Sequence, residues 1–265
     1  MGQYFKAVLL GKKEGNKENI IGALIPGDYA NLMKITEHAY LRNSFVNAVM
    51  NTIAKYKGGV RVAWAGDYAK KEQYRRKNLY EIVSDMNNKG EGVYIKNASM
   101  KNPEYRYLLN ETKGEAVDLW DLPEFDGWTI HPLPILTADG NEEGGGGTYH
   151  GTAMKYVGSW ARDVISVQKN DWNRVRQLGK TGLAVDFGPK KHLVTKYYKV
   201  IKPDFAESYA LTSDFYNGIK AIQLAISEGL VDASDIRQGL TQRGLNAGII
   251  KSVLYQKPEP ATANS

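Results

Sequence analysis

The chain has 265 residues, a formal net charge of +6, 24% charged and 42% hydrophobic residues, and no cysteine. The length suits one large domain or two, and the missing cysteine excludes disulfides, thiolate metal ligands and cysteine nucleophiles. No apolar run approaches the roughly 18 residues of a bilayer crossing, no small-residue cleavage site follows the apolar start, and Lys6 stands where a myristoylation pattern requires Ser or Thr, so a cytoplasmic protein without membrane attachment is expected.

Residues 3–10 (QYFKAVLL) and 19–26 (NIIGALIP) read as strands joined by a polar hairpin loop. Residues 28–59 read as helix, from apolar positions at Leu32, Ile35, Ala39, Phe45, Val46, Val49, Met50 and Ile53. Asn43 or Ser44 is expected to cap a second segment after a break, and Gly58 and Gly59 to end it. A buried strand over 60–66 follows, then a helix over 70–90 with Tyr74, Leu79, Ile82, Val83 and Met86 inward. Strands are expected over 92–99, 105–112 and 115–122, the last two closed by the turn TKGE.

Trp128–Thr137 and Lys155–Val167 are expected as strands joined by a long loop. Pro132 and Pro134 put the first at an edge or bulge, because proline cannot donate to a ladder. Residues 182–188 and 191–201 suggest a hairpin turned by GPKK. Three short helices follow: one capped by Thr212 or Ser213 and ended at Gly229, one over 233–242, and one over 247–255. The element order points to an α+β fold with a mainly antiparallel sheet and two or three packed helices over 1–170. A basic hairpin segment is expected over 171–204, a helical module over 205–256, and a disordered tail over 257–265.

Several stretches invite a chemical reading. In HPLPILTADGNEEGGGGTYHG (131–151) the glycines could wrap an anion. No helix is expected after them to supply the electrostatics, and Glu142 and Glu143 would repel a phosphate. His131, Asp139 and His150 are chemically suitable metal ligands, but their spacing matches no ligand signature. GKTG (179–182) is not a P-loop, because Arg174 occupies the place of the required glycine. Glu37 and His38 lack a second histidine at the zincin spacing, where Arg42 stands. No G-x-S-x-G occurs, and no motif implies a cofactor.

WAGDYA puts Asp67 and Tyr68 at the end of an apolar strand, where sheets commonly present functional groups. SWARD offers Arg162 and Asp163 in a parallel arrangement. If the two strands neighbour each other, these four could form the pocket of a hydrolase or nucleotide-processing enzyme. The bland alternative is that the tryptophans are core and the charges pair on the surface.

The strongest charge signal lies in 174–202, with Arg174, Arg176, Lys180, Lys190, Lys191, Lys196, Lys199 and Lys202 against the single acid Asp186. Tyr198 beside these lysines could stack a base while the ammoniums hold phosphates. Strand alternation splits the lysines between two faces, with Lys196 and Tyr198 on one and Tyr197 and Lys199 on the other.

Five segments together (GQYFKAVLL, EHAYLRNSFVNAV, WAGDYA, GWTIHPLPILTADGN and YVGSWARDVISV) resemble a family of uncharacterised proteins encoded by bacteriophages and mobile elements of gut bacteria. The resemblance covers about residues 2–167. It implies a phage or mobile-element setting, with the host cytoplasm as compartment, and assigns no reaction and no catalytic residue. The first expectation is therefore an accessory protein binding nucleic acid or an acidic protein surface through Arg174, Arg176, Lys180, Lys190, Lys191, Lys196, Tyr198 and Lys199. The enzyme using Asp67, Tyr68, Arg162 and Asp163, and a virion or assembly component, are the alternatives. An oligomer is compatible with each.

Overall fold

A computed structural model describes residues 3–125, 128–140, 151–171, 174–178, 182–186, 195–205 and 224–242. The chain divides into two compact units, Met1–Tyr209 and Ala210–Ser265. The first is an α+β unit built on a mostly antiparallel ten-stranded sheet. β1 (Phe5–Leu10) pairs with β2 (Ile20–Leu24) on one side and β3 (Val60–Gly66) on the other, both antiparallel. β4 (Tyr105–Asn110) and β5 (Glu115–Asp118) form the expected hairpin, and β4 pairs with β9 (Val164–Lys169). β6 (Glu124–Phe125) and β7 (Trp128–Thr129) make a separate small hairpin.

Two helices cover the centre of the sheet from opposite sides. In α2 (Ser44–Ile53), Phe45, Val46, Val49 and Ile53 pack with Phe5, Leu9, Trp64 and Ile165. In α3 (Leu79–Asn88), Leu79 and Val83 pack with Val8, Leu10, Ala63 and Ala65. Both faces of β1 and β3 are therefore apolar, as burial on both sides requires. The break expected near Asn43 is present: its side chain accepts from the N–H of Phe45 (2.9 Å) and Val46 (3.1 Å). The preceding stretch forms the end of a 3₁₀ turn (Pro26–Tyr29) and the short α1 (Ile35–His38). Gly59 has φ +91°, and a Cβ there would lie 2.7 Å from the Ile165 carbonyl oxygen. Both facts restrict the position to glycine.

Four expectations are corrected. The helix expected over 70–90 begins only at Leu79, where Asn78 caps it in a reciprocal box with Glu81. Residues 92–99 form no strand, only a bridge between Ala23 and Tyr94. Trp128–Thr137 is not one edge strand. Pro132–Leu136 forms α4, with His131 as its N-cap, because proline suits the first helical turn, where its missing N–H is not needed. The chain then enters β8 (Ala138–Asp139), parallel to β3. Residues 151–156 are 3₁₀ helix, so the expected strand over Lys155–Val167 starts at Val164.

The segment 171–204 belongs to the main sheet. β10 (Val175–Leu178), β11 (Gly182–Asp186) and β12 (Thr195–Val200) run antiparallel, and β12 joins β5 in parallel. The GPKK turn lies outside the described residues. In the second unit, α5 (Ala233–Gln242) matches the expected middle helix, and Gly229, with φ +69°, follows the helical residues 224–227. The third helix and the tail lie outside the described residues. No helix among the described residues is long and apolar enough to cross a membrane.

Among the described residues, two histidines are fully buried and neutral. His38 donates from Nδ1 to the Leu32 carbonyl (3.0 Å) and accepts at Nε2 from the Trp64 indole (2.9 Å). His131 accepts at Nδ1 from the Leu133 N–H (3.2 Å). Burial pushes His38 down to about 4 and His131 down to about 3. Both are depressed bases, so the unfolded chain takes up protons first and stability falls as pH drops below about 6.5. The expected slope of unfolding free energy approaches about 2.7 kcal/mol per pH unit near pH 5, with two protons at stake. Denaturant melts across that range should show it, with roughly half the histidine slope remaining in His38→Leu.

Candidate functional site

Among the described residues, no side-chain hydrogen bond or salt bridge joins Asp67, Tyr68, Arg162 and Asp163 to one another. Asp67 accepts from the N–H of Tyr4 (3.0 Å), and its own N–H bonds the Tyr4 carbonyl, tying the end of β3 to the start of β1. Tyr68 is half-exposed. Asp163 accepts from the Asn110 amide (2.8 Å) and sits 3.6 Å from the Lys113 ammonium. Arg162 turns away from all three.

Arg162 instead gathers acids that sequence reading did not connect. Its Nε donates to Asp139 (2.8 Å). Its two Nη groups reach Glu72 (2.5 and 3.2 Å), and Nη1 also reaches Glu18 (3.4 Å). Arg61 grips Glu18 from the other side with two hydrogen bonds (2.7 and 3.1 Å). Burial pushes the Glu18 carboxyl up, but the hydrogen bond and charge of Arg61, with the charges of Arg162 and Lys13, outweigh it and hold Glu18 below its usual value. Arg162 itself is pushed up: Glu72 and Asp139 overcome the desolvation that would lower it. This is a neutralised structural cluster, not a poised acid and base.

The metal reading of 131–151 fares no better within the described residues. The His131 ring caps α4, and the Asp139 carboxylate is bound to Arg162. His150 lies outside the described residues. Among those described, no three His, Asp or Glu side chains are grouped to hold a metal ion.

The basic strands give a different result. Across β10, β11 and β12 the register aligns Arg176 with Ala184 and Ala184 with Tyr197. Directly opposed residues share a face, so these three form a row, with Lys199 two residues further along the same face of β12. Tyr197 is 65% exposed. Arg176 and Lys199 are exposed, and neither forms a salt bridge among the described residues. Arg174 lies 3.7 Å from Asp171, an exposed pair that is weakly held. Lys180, Lys190 and Lys191 lie outside the described residues.

Lys196 and Tyr198 turn inward. Both bind Glu111, Lys196 by a salt bridge and the Tyr198 hydroxyl by donating to the carboxylate (2.9 and 3.0 Å). Tyr198 is 2% exposed, and burial beside Glu111 keeps its hydroxyl protonated. The exposed ring is therefore Tyr197, not the expected Tyr198. Alternation in TKYYKV separates the two tyrosines but does not say which face is covered.

Sequence reasoning also missed Lys6. It shares a face with Val8 and Leu10 and is 5% exposed. Its ammonium donates to the Ser84 hydroxyl (2.5 Å) and the Tyr94 hydroxyl (3.1 Å), and lies 3.8 Å from the Tyr80 ring centre. Burial lowers it to about 8. The period of two in FKAVLL carried the signal: a lysine in phase with two inward apolar residues.

Removing Arg162 leaves Glu18, Glu72 and Asp139 facing one another without their shared cation. Arg162→Met is expected to destabilise the fold by about 3 kcal/mol or more, the scale for breaking a part-buried ion network. The deficit should narrow as pH falls, because unpaired carboxylates protonate more readily. Adding Glu72→Gln should recover part of it. Urea melts at neutral and acid pH measure all three effects.

In comparisons with known proteins, no protein-family model, no curated protein and no solved structure matches this chain.

Proposed function

We propose that this is a phage-type accessory protein that binds nucleic acid through the outer face of β10–β12. One observation carries the reading: an exposed tyrosine ring lies in register with an arginine and next to a lysine, all on one sheet face. A flat sheet face with a ring between cations suits a single strand. A base stacks on the ring and the cations hold the flanking phosphates, with little dependence on base identity. Ala184, between Arg176 and Tyr197, is buried and carries only a methyl group, so the exposed groups of the row are the arginine and the ring. The overall charge of +6 favours the encounter. The phage setting rests on the sequence resemblance alone.

An acidic protein surface would satisfy the cations but leave the ring without a specific task, so nucleic acid is the favoured partner. Asp186, at the far end of β11, and Glu115, in register with Lys199, confine the cationic area to its centre. The Glu115 carboxylate is engaged by the Trp160 indole (2.7 Å).

Fluorescence anisotropy with labelled single-stranded oligonucleotides should give binding that weakens linearly in log affinity against log salt. Tyr197→Ala should cost about five- to a hundredfold in affinity, the range for one stacked base. Arg176→Ala and Lys199→Ala should each reduce the salt slope by about one. Tyr198→Phe, altering only the inward ring, should leave affinity unchanged. Binding that ignores salt and Tyr197→Ala would overturn the proposal.

A further inference from the structure

The opposite face of the same strands lines a half-open pocket. Tyr107 and Leu109 of β4, Ala116 of β5, Val175 of β10, Leu183 and Val185 of β11 and Tyr198 of β12 form a small second core. Beside it lies a cavity of about 420 Å³, within the size range of small-molecule sites. Its interior has one unmet polar group. Tyr107 is 1% exposed, and its hydroxyl is buried without a hydrogen-bond partner. Burial and the nearby Asp118 keep that phenol protonated. The Gln177 side chain, also in the wall, approaches the phenol and opposes that upward shift, without reaching it in a hydrogen bond of ordinary geometry.

The charges at the pocket fall into two classes. Asp118 is neutralised: the Arg106 guanidinium donates to both its oxygens (2.8 to 3.1 Å) and is itself held between the Tyr107 and Trp120 rings, 5.1 and 4.8 Å from their centres. Asp121 and Lys202 are different. They pair with each other at side-chain exposures of 59% and 64%. A solvated pair of this kind costs little to separate. Leu183 and Val200 supply apolar wall.

We infer that this pocket binds a small zwitterion of the α-amino-acid class with a polar side-chain tip. The ligand ammonium replaces Lys202 at Asp121, and the ligand carboxylate replaces Asp121 at Lys202. The stem lies along Leu183 and Val200, and the tip meets the Tyr107 hydroxyl and the Gln177 amide. A phosphorylated ligand fits less well, because Asp118 is already balanced by Arg106 and the remaining pair, Asp121 and Lys202, offers one charge of each sign. The inference is independent of the nucleic-acid face, since Tyr107 and Tyr197 occupy opposite sides of the sheet.

Isothermal titration of the full chain with L-glutamine and L-tyrosine tests it, alongside the N-acetyl and the α-amide derivative of each. Saturable binding of at least one free amino acid is expected, with loss in both blocked forms. Tyr107→Phe and Lys202→Ala should each weaken it about tenfold, the scale of one hydrogen bond to a charged or buried group. Tyr107→Phe should melt no lower than the parent chain, since it removes a hydroxyl with no internal partner. No saturable binding of either probe at millimolar concentration, equal binding of the blocked forms, or affinity unchanged in both variants would overturn the inference.

Discussion

The fold turns on a single residue in an uncommon backbone state. Arg162 has φ +65°. Its N–H bonds the Val62 carbonyl, and its carbonyl accepts from Arg61. It therefore sits at the point where β3 exchanges one neighbour for another. β9 pairs with residues 60 and 61, and β8 pairs with residues 64 and 65. The left-handed turn lets the chain leave one pairing without obstructing the other. Such a conformation is uncommon for a residue with a Cβ. Arg162 is held there because its side chain ties together residues 18, 72 and 139, which come from otherwise separate loops and strands.

That constraint explains why two attractive chemical readings dissolve. The charges of SWARD pair with Lys113 and with Glu18, Glu72 and Asp139, and Asp67 is tied to the Tyr4 backbone. A carboxylate that accepts two or three charge-assisted hydrogen bonds is stabilised as an anion, the opposite of a group poised to exchange protons near neutral pH. The unspent groups lie at the other end of the sheet. There α2 no longer covers the face that buries Val117 and Ile201, and Tyr197 and Lys199 emerge on it.

Much of the architecture was legible in local pattern. The strands at 5–10, 60–66, 105–110 and 115–118 and the Asn43 cap follow from apolar spacing and capping chemistry that act over a few residues, whereas α2 ends at Ile53, before the stop expected at Gly58–Gly59. The failures have local causes too. Proline is compatible with a strand edge and with the first turn of a helix, and α4 goes with a local cap, the Leu133 N–H on the His131 ring, and a distant tie, the His131 N–H on the Ala39 carbonyl. Lys196 and Tyr198 were assigned to a common face correctly, but which face is covered depends on Glu111, far away in sequence. The convergence of Glu18, Glu72 and Asp139 on Arg162 has no signature in spacing at all, since it depends on long-range closure.

The parallel seam between β5 and β12 has a temporal consequence. Its register joins Glu115 to Lys199 and Ala116 to Val200, and every other strand of the three-stranded patch pairs only within the patch. A growing chain can form β1 to β3 and the β4–β5 hairpin well before residue 200 is made. Until then β5 presents an unpaired edge, with the hazard of wrong partners that such edges carry. Closing that seam requires a long loop, and the entropy of closure is met before any contact repays it. Synthesis order thus makes the cationic face and the Tyr107 pocket the last parts of the sheet to exist, both arriving with the strand that seals its open edge.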